Sequence, residues 1–228
     1  MSLRLTCTLA AGLALAACEA PAADELVDAP VTTAGEVVED AQEGYVMRLD
    51  SERSDPGQFV IEELESSLRI QTGPAGIAYH PSDRIDSGDF HVEATYTQYG
   101  APVGYREAYG LFVGGIDLES PENEYTYLLV RPTGDYLIKR RISDITETLV
   151  DWTPHEAIST VEADGDEPVN ILTIDVFGAE TRFLINGVQV HSVPSASARP
   201  YGIAGLRVNH RLDVRITDWR LFNTLDES

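Results

Sequence analysis

Strict two-residue alternation of apolar and polar side chains constrains this chain more than any other feature. In the segment 90–96, FHVEATY, the apolar residues occupy every second position. Successive side chains of a β-strand point to opposite faces, so this period is that of a strand buried on one face. The same period recurs from Tyr45 onward, and no run of about eleven residues carries a helical stripe of apolar side chains. The pattern predicts an all-β domain.

Two hairpins can be located from turn residues. Asn186-Gly187 separates the run 181–185 from the run 188–190, and both residues tolerate the positive φ that a two-residue turn requires. A second hairpin joins 125–131 to 136–141 through Pro132-Thr133-Gly134. Further strands are predicted at 45–49, 58–63, 67–72, 76–79, 109–114, 170–177, 202–208 and 212–222, and 154–168 is predicted to be a loop. About a dozen short strands with regular turn signals predict an antiparallel β-sandwich.

The last predicted strand changes parity along its length. Val214 and Ile216 share one face, whereas Trp219 and Leu221 share the other. Either an extra residue near Thr217-Asp218 resets the register, or the strand is covered on both faces. The bulge is the favoured interpretation.

The first eighteen residues, MSLRLTCTLAAGLALAAC, have the features of an export signal, with Arg4 as the positive charge. The 13 residues from Leu5 to Ala17 are fewer than the ~20 that a membrane-spanning helix needs. The end of this segment, LAAC, resembles the bacterial lipobox, which implies cleavage before Cys18 and its acylation with fatty acids such as palmitate. The alternative is an ordinary signal peptide with a chance cysteine. Glu19, in place of an Asp, favours the outer membrane, with the domain facing the periplasm or the cell surface.

An acidic segment follows the signal. Residues 19–43 hold eight acidic side chains, no basic one and no aromatic one, which is typical of a flexible linker. The predicted organisation is therefore a lipoprotein signal peptide at 1–17, acylated Cys18 and linker at 18–43, and a β-sandwich at 44–228. The whole chain has 38 acidic and 16 basic residues, a net charge of −22, which excludes nucleic acid as a partner. Both cysteines lie within the first 18 residues, so the domain has no disulfide and no cysteine zinc site.

The order of motifs in the predicted domain resembles a known fold family. The motifs are FHVEATYT, YGLFVGG, YTYLLVRPTGDYLIKR, NILTIDVFGAETRFLINGVQV and YGIAGLRVNHRLDVRITDWRL, and they span roughly 85–223. Their order is similar to that of the concanavalin-A-like lectin/glucanase jelly roll, in particular its laminin-G-like and 3-keto-disaccharide-hydrolase-like domains. The resemblance implies this jelly-roll sandwich from residue 45 onward. Its motifs are turns and core positions, so they indicate the fold rather than the chemistry.

A set of tyrosines and arginines is the predicted carbohydrate platform. Sugars stack their apolar ring faces on aromatic rings, and Arg presents a planar fork of donors to hydroxyls or uronate carboxylates. On one strand Tyr125 and Tyr127 share a face with Arg131, and on its partner Tyr136 shares a face with Arg140. The predicted ligand-binding residues are Tyr127, Arg131, Tyr125, Tyr136, Arg140, Tyr109 and Arg106, together with Trp152. The alternative is that these aromatic residues form part of a core.

Catalytic residues stay unassigned. A glycosidase needs two carboxylates at a defined separation, and the nearest cluster, Asp117, Glu119, Glu122 and Glu124, lies in a predicted loop. The Glu-x-Asp-x-x-Glu motif of laminarinase-type enzymes is missing, and Tyr109-Gly110-Leu111-Phe112 lacks the polar residues of the hydrolase-like domains.

For metals, the five histidines form no zinc motif, so no resident cofactor is expected beyond a structural calcium ion. The acidic turn with Asp164, Asp166 and Glu162 offers the oxygen ligands that calcium prefers.

The leading functional hypothesis is an envelope-anchored lipoprotein whose sandwich binds a glycan or another envelope component without catalysis. One alternative is a glycosidase-like enzyme of the 3-keto-disaccharide-hydrolase kind. The other is a structural module that binds an envelope protein through an exposed sheet edge.

Overall fold

The computed structural model describes residues 44–223, and two antiparallel sheets make up this part of the chain. The predicted signal peptide, Cys18 and the acidic linker lie outside the described residues. The strands are β1 Val46–Leu49, β2 Phe59–Leu64, β3 Ser67–Thr72, β4 Gly76–Tyr79, β5 Arg84–Ile85, β6 Phe90–Tyr99, β7 Tyr109–Ile116, β8 Glu124–Arg131, β9 Asp135–Ile142, β10 Ile145–Pro154, β11 Val169–Phe177, β12 Glu180–Ile185, β13 Val188–Pro194, β14 Gly202–Val208 and β15 Asp213–Asn223. A 3₁₀ turn, Pro56–Gln58, and one short helix, α1 Ser195–Ala198, complete the described elements.

The sheets stack face to face around one continuous core. Sheet A has the order β1-β4-β14-β7-β8-β9-β10, with β5 paired to β14, and sheet B has the order β13-β12-β11-β6-β15-β3-β2. Leu111 and Ile138 of sheet A and Val92 and Ile174 of sheet B are among the fully buried side chains between them. The predicted antiparallel β-sandwich is confirmed. No helix among the described residues has the length and apolar character that a membrane span needs.

Both predicted hairpins and the predicted bulge are present. Asn186 and Gly187 have φ values of 50° and 78° and join β12 to β13, as a two-residue turn requires. The pairing of β15 with β6 shifts register between Thr217 and Arg220, and Asp218 takes a φ of 52° at that point. The change of parity in the last strand therefore comes from a bulge.

Strand β10, Ile145–Pro154, was not predicted from the sequence. Its pairing with β9 shifts register between Thr148 and Val150 and again between Val150 and Thr153. Each shift breaks the two-residue period, and an edge strand with few buried side chains carries a weak pattern in any case.

Candidate functional site

The predicted carbohydrate platform is divided between the two faces of sheet A. Tyr125 and Tyr127 point away from sheet B, onto what we call the outer face of sheet A, and Arg131 has the same parity. Tyr136 pairs with Val130 in the hairpin register and lies in the core between the sheets, where its O–H donates to the carbonyl of Val190 at 3.1 Å. Arg131 and Tyr127 therefore share a face that Tyr136 does not reach.

Two other predicted residues, Arg140 and Tyr109, lie away from the outer face, whereas Arg106 lies near Arg131. Arg140 has the parity of Tyr136 and is buried, and its guanidinium donates to Glu124 at 2.8 Å. Tyr109 lies in the core, stacked on Tyr96 with ring centroids 5.0 Å apart, and burial raises its pKa to about 12. Arg106 is exposed in the loop between β6 and β7, and its positive charge contributes, after burial, to the lowered pKa of Arg131.

The outer face of sheet A is concave. Asp50, directly after β1, lies 3.4 Å from the guanidinium of Arg141 on β9, measured from Oδ1 to Nη1. Four strands separate β1 from β9 in the sheet, so in a flat sheet these strands would lie about 24 Å apart at ~4.8 Å per strand. Only a sheet that curves toward this side allows the contact.

A buried ion pair holds this concave face together. Arg207, at an outward position of β14, donates to both carboxylate oxygens of Asp50 at 2.9 and 2.6 Å. The same guanidinium donates to the O–H of Tyr125 at 3.1 Å and lies 4.9 Å from the ring centroid of Tyr127. Burial opposes ionisation of Asp50, but the hydrogen bond and charge of Arg207 outweigh it, and the pKa of Asp50 is lowered.

The loop 117–123 closes one side of the same face. Leu118 is buried in the apolar cluster that contains Phe112 and Tyr125, and Arg48 of β1 donates to the carbonyl of Ser120 at 3.3 Å. Because β4 and β14 separate β1 from β7 in sheet A, the loop that follows β7 crosses the outer face to reach β1. The acidic cluster that the sequence offered for catalysis thus belongs to a covering loop, except Glu124, which begins β8.

The covering has a direct effect on the predicted tyrosines. Tyr125 is only 2% exposed and Tyr127 only 5% exposed, so neither ring is open for a sugar to stack on. Sequence reasoning missed Asp50 and Arg207, which build this arrangement. The signal for Arg207 was present, since an arginine alternates with apolar residues inside the central strand GIAGLRV.

The other end of the outer face stays partly open. Arg131, at the end of β8, places its guanidinium carbon 3.3 Å from the ring centroid of Trp152 on β10, and both residues are partly exposed. Lys139 on β9 lies on the same face, opposite Tyr127. Among residues 44–223, neither Arg131 nor Lys139 has a carboxylate within ion-pair distance, and burial lowers the pKa of Arg131.

The carboxylates of the predicted calcium turn accept hydrogen bonds from backbone N–H groups of their own loop and of the loop between β6 and β7. Asp166 accepts from the backbone N–H groups of Glu162 and Ala163 at 2.9 and 2.8 Å, and Asp164 accepts from Val103 N at 3.3 Å. Within the described range 44–223, no group of three or more His, Cys, Asp or Glu side chains is placed to hold a metal ion. Calcium binding stays a prediction.

A charged group lies on the outer face of sheet B. The Nδ1 atom of His91 is 2.7 Å from Asp175, its Nε2 atom is 3.6 Å from Glu93, and its ring stacks on Phe222 with centroids 5.0 Å apart. The hydrogen bond to Asp175, opposed by burial, raises the pKa of His91.

Solved structures share this architecture. Neither a protein-family model nor a curated protein sequence matches the chain. The carbohydrate-binding module CBM66 from Bacillus subtilis is similar with a TM-score of 0.53 and 8% identity, over 77% of this chain and 94% of that one. The carbohydrate recognition domain of Emp46p in its metal-free form is similar with a TM-score of 0.52 and 11% identity, over 82% of this chain and 92% of that one. The potassium-bound form of the same domain is similar with a TM-score of 0.52 and 10% identity, over 78% of this chain and 88% of that one. At such identities the likeness shows the fold, a lectin-like β-sandwich, as the sequence resemblance implied.

Proposed function

We propose that this protein binds a glycan on the open end of the outer face of sheet A, at Trp152, Arg131 and Lys139. The observation that carries the proposal is the Arg131 guanidinium stacked 3.3 Å over the Trp152 ring on the concave face of a lectin-like sandwich. The structural neighbours that are named as a carbohydrate-binding module and a carbohydrate recognition domain support the same class of ligand.

The chemistry of these three residues suits an oligosaccharide. The Arg131 guanidinium covers one face of the Trp152 ring, so the exposed remainder of the indole takes the apolar part of a sugar. The guanidinium edge and the ammonium group donate to hydroxyl or carboxylate oxygens. Lys139 pairs with Tyr127, which is four residues from Arg131, so the backbone positions of the two cations lie about 13 Å apart along the strands at ~3.3 Å per residue. Neither cation has an ion-pair partner among the described residues; the Nε atom of Arg131 is buried, so its Nη atoms and the Lys139 ammonium are the donors for a ligand.

The test is a glycan-array screen of the purified protein with and without calcium. We expect hits that Arg131→Gln and Trp152→Ala each weaken at least about tenfold, the loss of one charge-assisted hydrogen bond or one stacked ring. Arg215→Gln is the matched control, since Arg215 is an exposed arginine on sheet B. Hits that require calcium and survive Arg131→Gln would move the site to the 162–166 turn. An array without hits in either condition would refute glycan binding.

The proposal includes an anchor at Cys18 that holds the domain at the bacterial envelope, most simply at the outer membrane. Several acyl chains on one residue anchor firmly, at about 0.8 kcal/mol per buried CH₂. Labelling cells with an alkyne analogue of palmitate tests it. We expect label on the wild type and on Cys7→Ser, and none on Cys18→Ser. Label that remains on Cys18→Ser would refute the anchor.

A further inference from the structure

A cleft separate from the outer face of sheet A lies where the turn between β2 and β3 faces the bulge of β15. Its volume is about 380 Å³, within the roughly 300–1,000 Å³ of small-molecule sites. Glu63 and Ser67 lie on the hairpin side, Asp218 and Trp219 lie on the bulge side, and Tyr45 also lines it. None of these residues belongs to the outer face of sheet A or contributes to the site proposed above.

The bulge creates this opening. Pairing between β15 and β3 ends at Thr217 opposite Ser67, and pairing between β15 and β6 resumes only at Arg220. Asp218 and Trp219 are therefore free of both ladders. Bulges recur where a strand must turn a side chain toward a functional surface, and here the freed residues line the cleft.

Two aromatic rings border the cleft, and both are held in place. Tyr45 and Trp219 pack against the core with part of their surface and remain partly exposed. Tyr45 meets His80 edge to face with centroids 5.9 Å apart, and the Trp219 side chain lies near Asp83. Burial, with the charges of Asp83 and Glu63, raises the pKa of Tyr45 to about 12, so its hydroxyl stays protonated as a donor. Rings that are fixed before binding cost a ligand little ordering entropy.

The charges around the cleft define the ligand class. Its ionisable lining residues other than Tyr45 are Glu63, Glu65 and Asp218, all acidic, and the acidic Asp83 lies near Trp219. Arg215, outside the lining, donates to Ser67 at 3.1 Å. Anions, including the acidic residues 19–43 of this chain, are repelled from such a lining. Carboxylates accept hydrogen bonds from hydroxyl groups, and aromatic rings take the apolar face of a pyranose. We infer that this cleft is a second, independent site that binds a neutral sugar.

The chain provides a direct way to observe each site, since Trp152 and Trp219 are its two tryptophans. In a Trp152→Phe variant of the full chain, intrinsic fluorescence reports on the cleft alone. The probes are the methyl glycosides of mannose, glucose, galactose and N-acetylglucosamine, with D-glucuronate as the anionic comparison. We expect at least one neutral glycoside to shift or quench Trp219 emission saturably, and D-glucuronate to bind at least about tenfold more weakly at low salt.

Carboxylate variants separate binding from nonspecific quenching. Glu63→Gln and Asp218→Asn should each weaken the neutral sugar about tenfold, because each removes a charge-assisted hydrogen bond. Glu62→Gln is the matched control, since Glu62 neighbours Glu63 but does not line the cleft. The inference is overturned if no neutral glycoside changes Trp219 emission, if D-glucuronate binds equally well, or if Glu63→Gln behaves as Glu62→Gln does. The Trp219→Phe variant, observed through Trp152, tests the outer-face site separately, so either site can fail alone.

Discussion

Replacing Asp50 by alanine should be among the most damaging single changes on the outer face of sheet A. The Arg207 side chain is only 8% exposed and its partner Asp50 is 29% exposed. Without the carboxylate, a buried guanidinium keeps the Tyr125 hydroxyl as its hydrogen-bond acceptor and the Tyr127 ring beside it, with Arg141 as a nearby like charge. Removing one partner of a buried ion pair costs about 3–5 kcal/mol. For a domain of this size, that lowers the melting temperature by about 6–20 °C.

Replacing the other member of the ion pair, Arg207, should destabilise the protein less. Arg207→Met removes the buried charge and fills much of its volume, while Asp50 keeps partial solvent exposure and Arg141 at 3.4 Å. We expect a loss of about 1–2 kcal/mol, and a double variant that recovers at least about 2 kcal/mol relative to the sum of the single losses. Urea unfolding followed by tryptophan fluorescence gives all four free energies, and Arg215→Gln serves as the surface control.

The pH dependence provides a second check on the same pair. Because the pKa of Asp50 is lowered in the folded protein, its contribution is fully present above the unfolded value of about 3.9. That contribution is lost as the pH falls through the folded value, so Asp50→Ala should flatten the acid side of the stability curve. The reasoning is refuted if Asp50→Ala costs less than about 1 kcal/mol, or if Arg207→Met costs more than Asp50→Ala.

Three further changes probe other parts of the fold. The pKa of His91 is raised, so its pairing with Asp175 contributes fully to stability below about pH 6.5, and that contribution is lost as the pH rises through the pKa of the folded state. His91→Gln should remove this pH dependence of the free energy of unfolding, measured by denaturation at pH 5–9. Gly205→Ala would place a Cβ 2.6 Å from the Phe112 ring and should cost about 1–3 kcal/mol, whereas a neutral result would contradict that packing. Asn186→Ala loses positive-φ tolerance and a 2.7 Å bond to Ile171 N, so thermal melting should show a loss of about 2 kcal/mol.

Much of the fold could be read from local sequence. The Asn186-Gly187 turn and the bulge at Asp218 each leave a signature within a few residues, because both depend on local φ values and side-chain parity. Strand β10 left no such signature, since its two register shifts interrupt the alternation.

The site was less predictable than the fold. Tyr127 and Arg131 were correctly placed on one face, because parity within a strand is local. The three-residue connection pairs Arg131 with Asp135, and this register sends Tyr136 to the opposite face from Tyr127. The burial of Tyr127 depends on where the loop 117–123 and Asp50 come to lie, and these contacts join strands far apart in the sheet. No local pattern carries that information.

The position of Asp50 also determines how the domain responds to mechanical load. A pull applied at Gly44 enters through β1, an edge strand held to β4 by four residue pairs from Val46 to Leu49. A load perpendicular to β1 opens this short ladder one pair at a time. Asp50 comes directly after the last pair. Its two hydrogen bonds to Arg207 have to break together before tension reaches the centre of sheet A. The ion pair between Asp50 and Arg207, which organises the concave face, is thus also expected to resist the transfer of tension from β1 to the core.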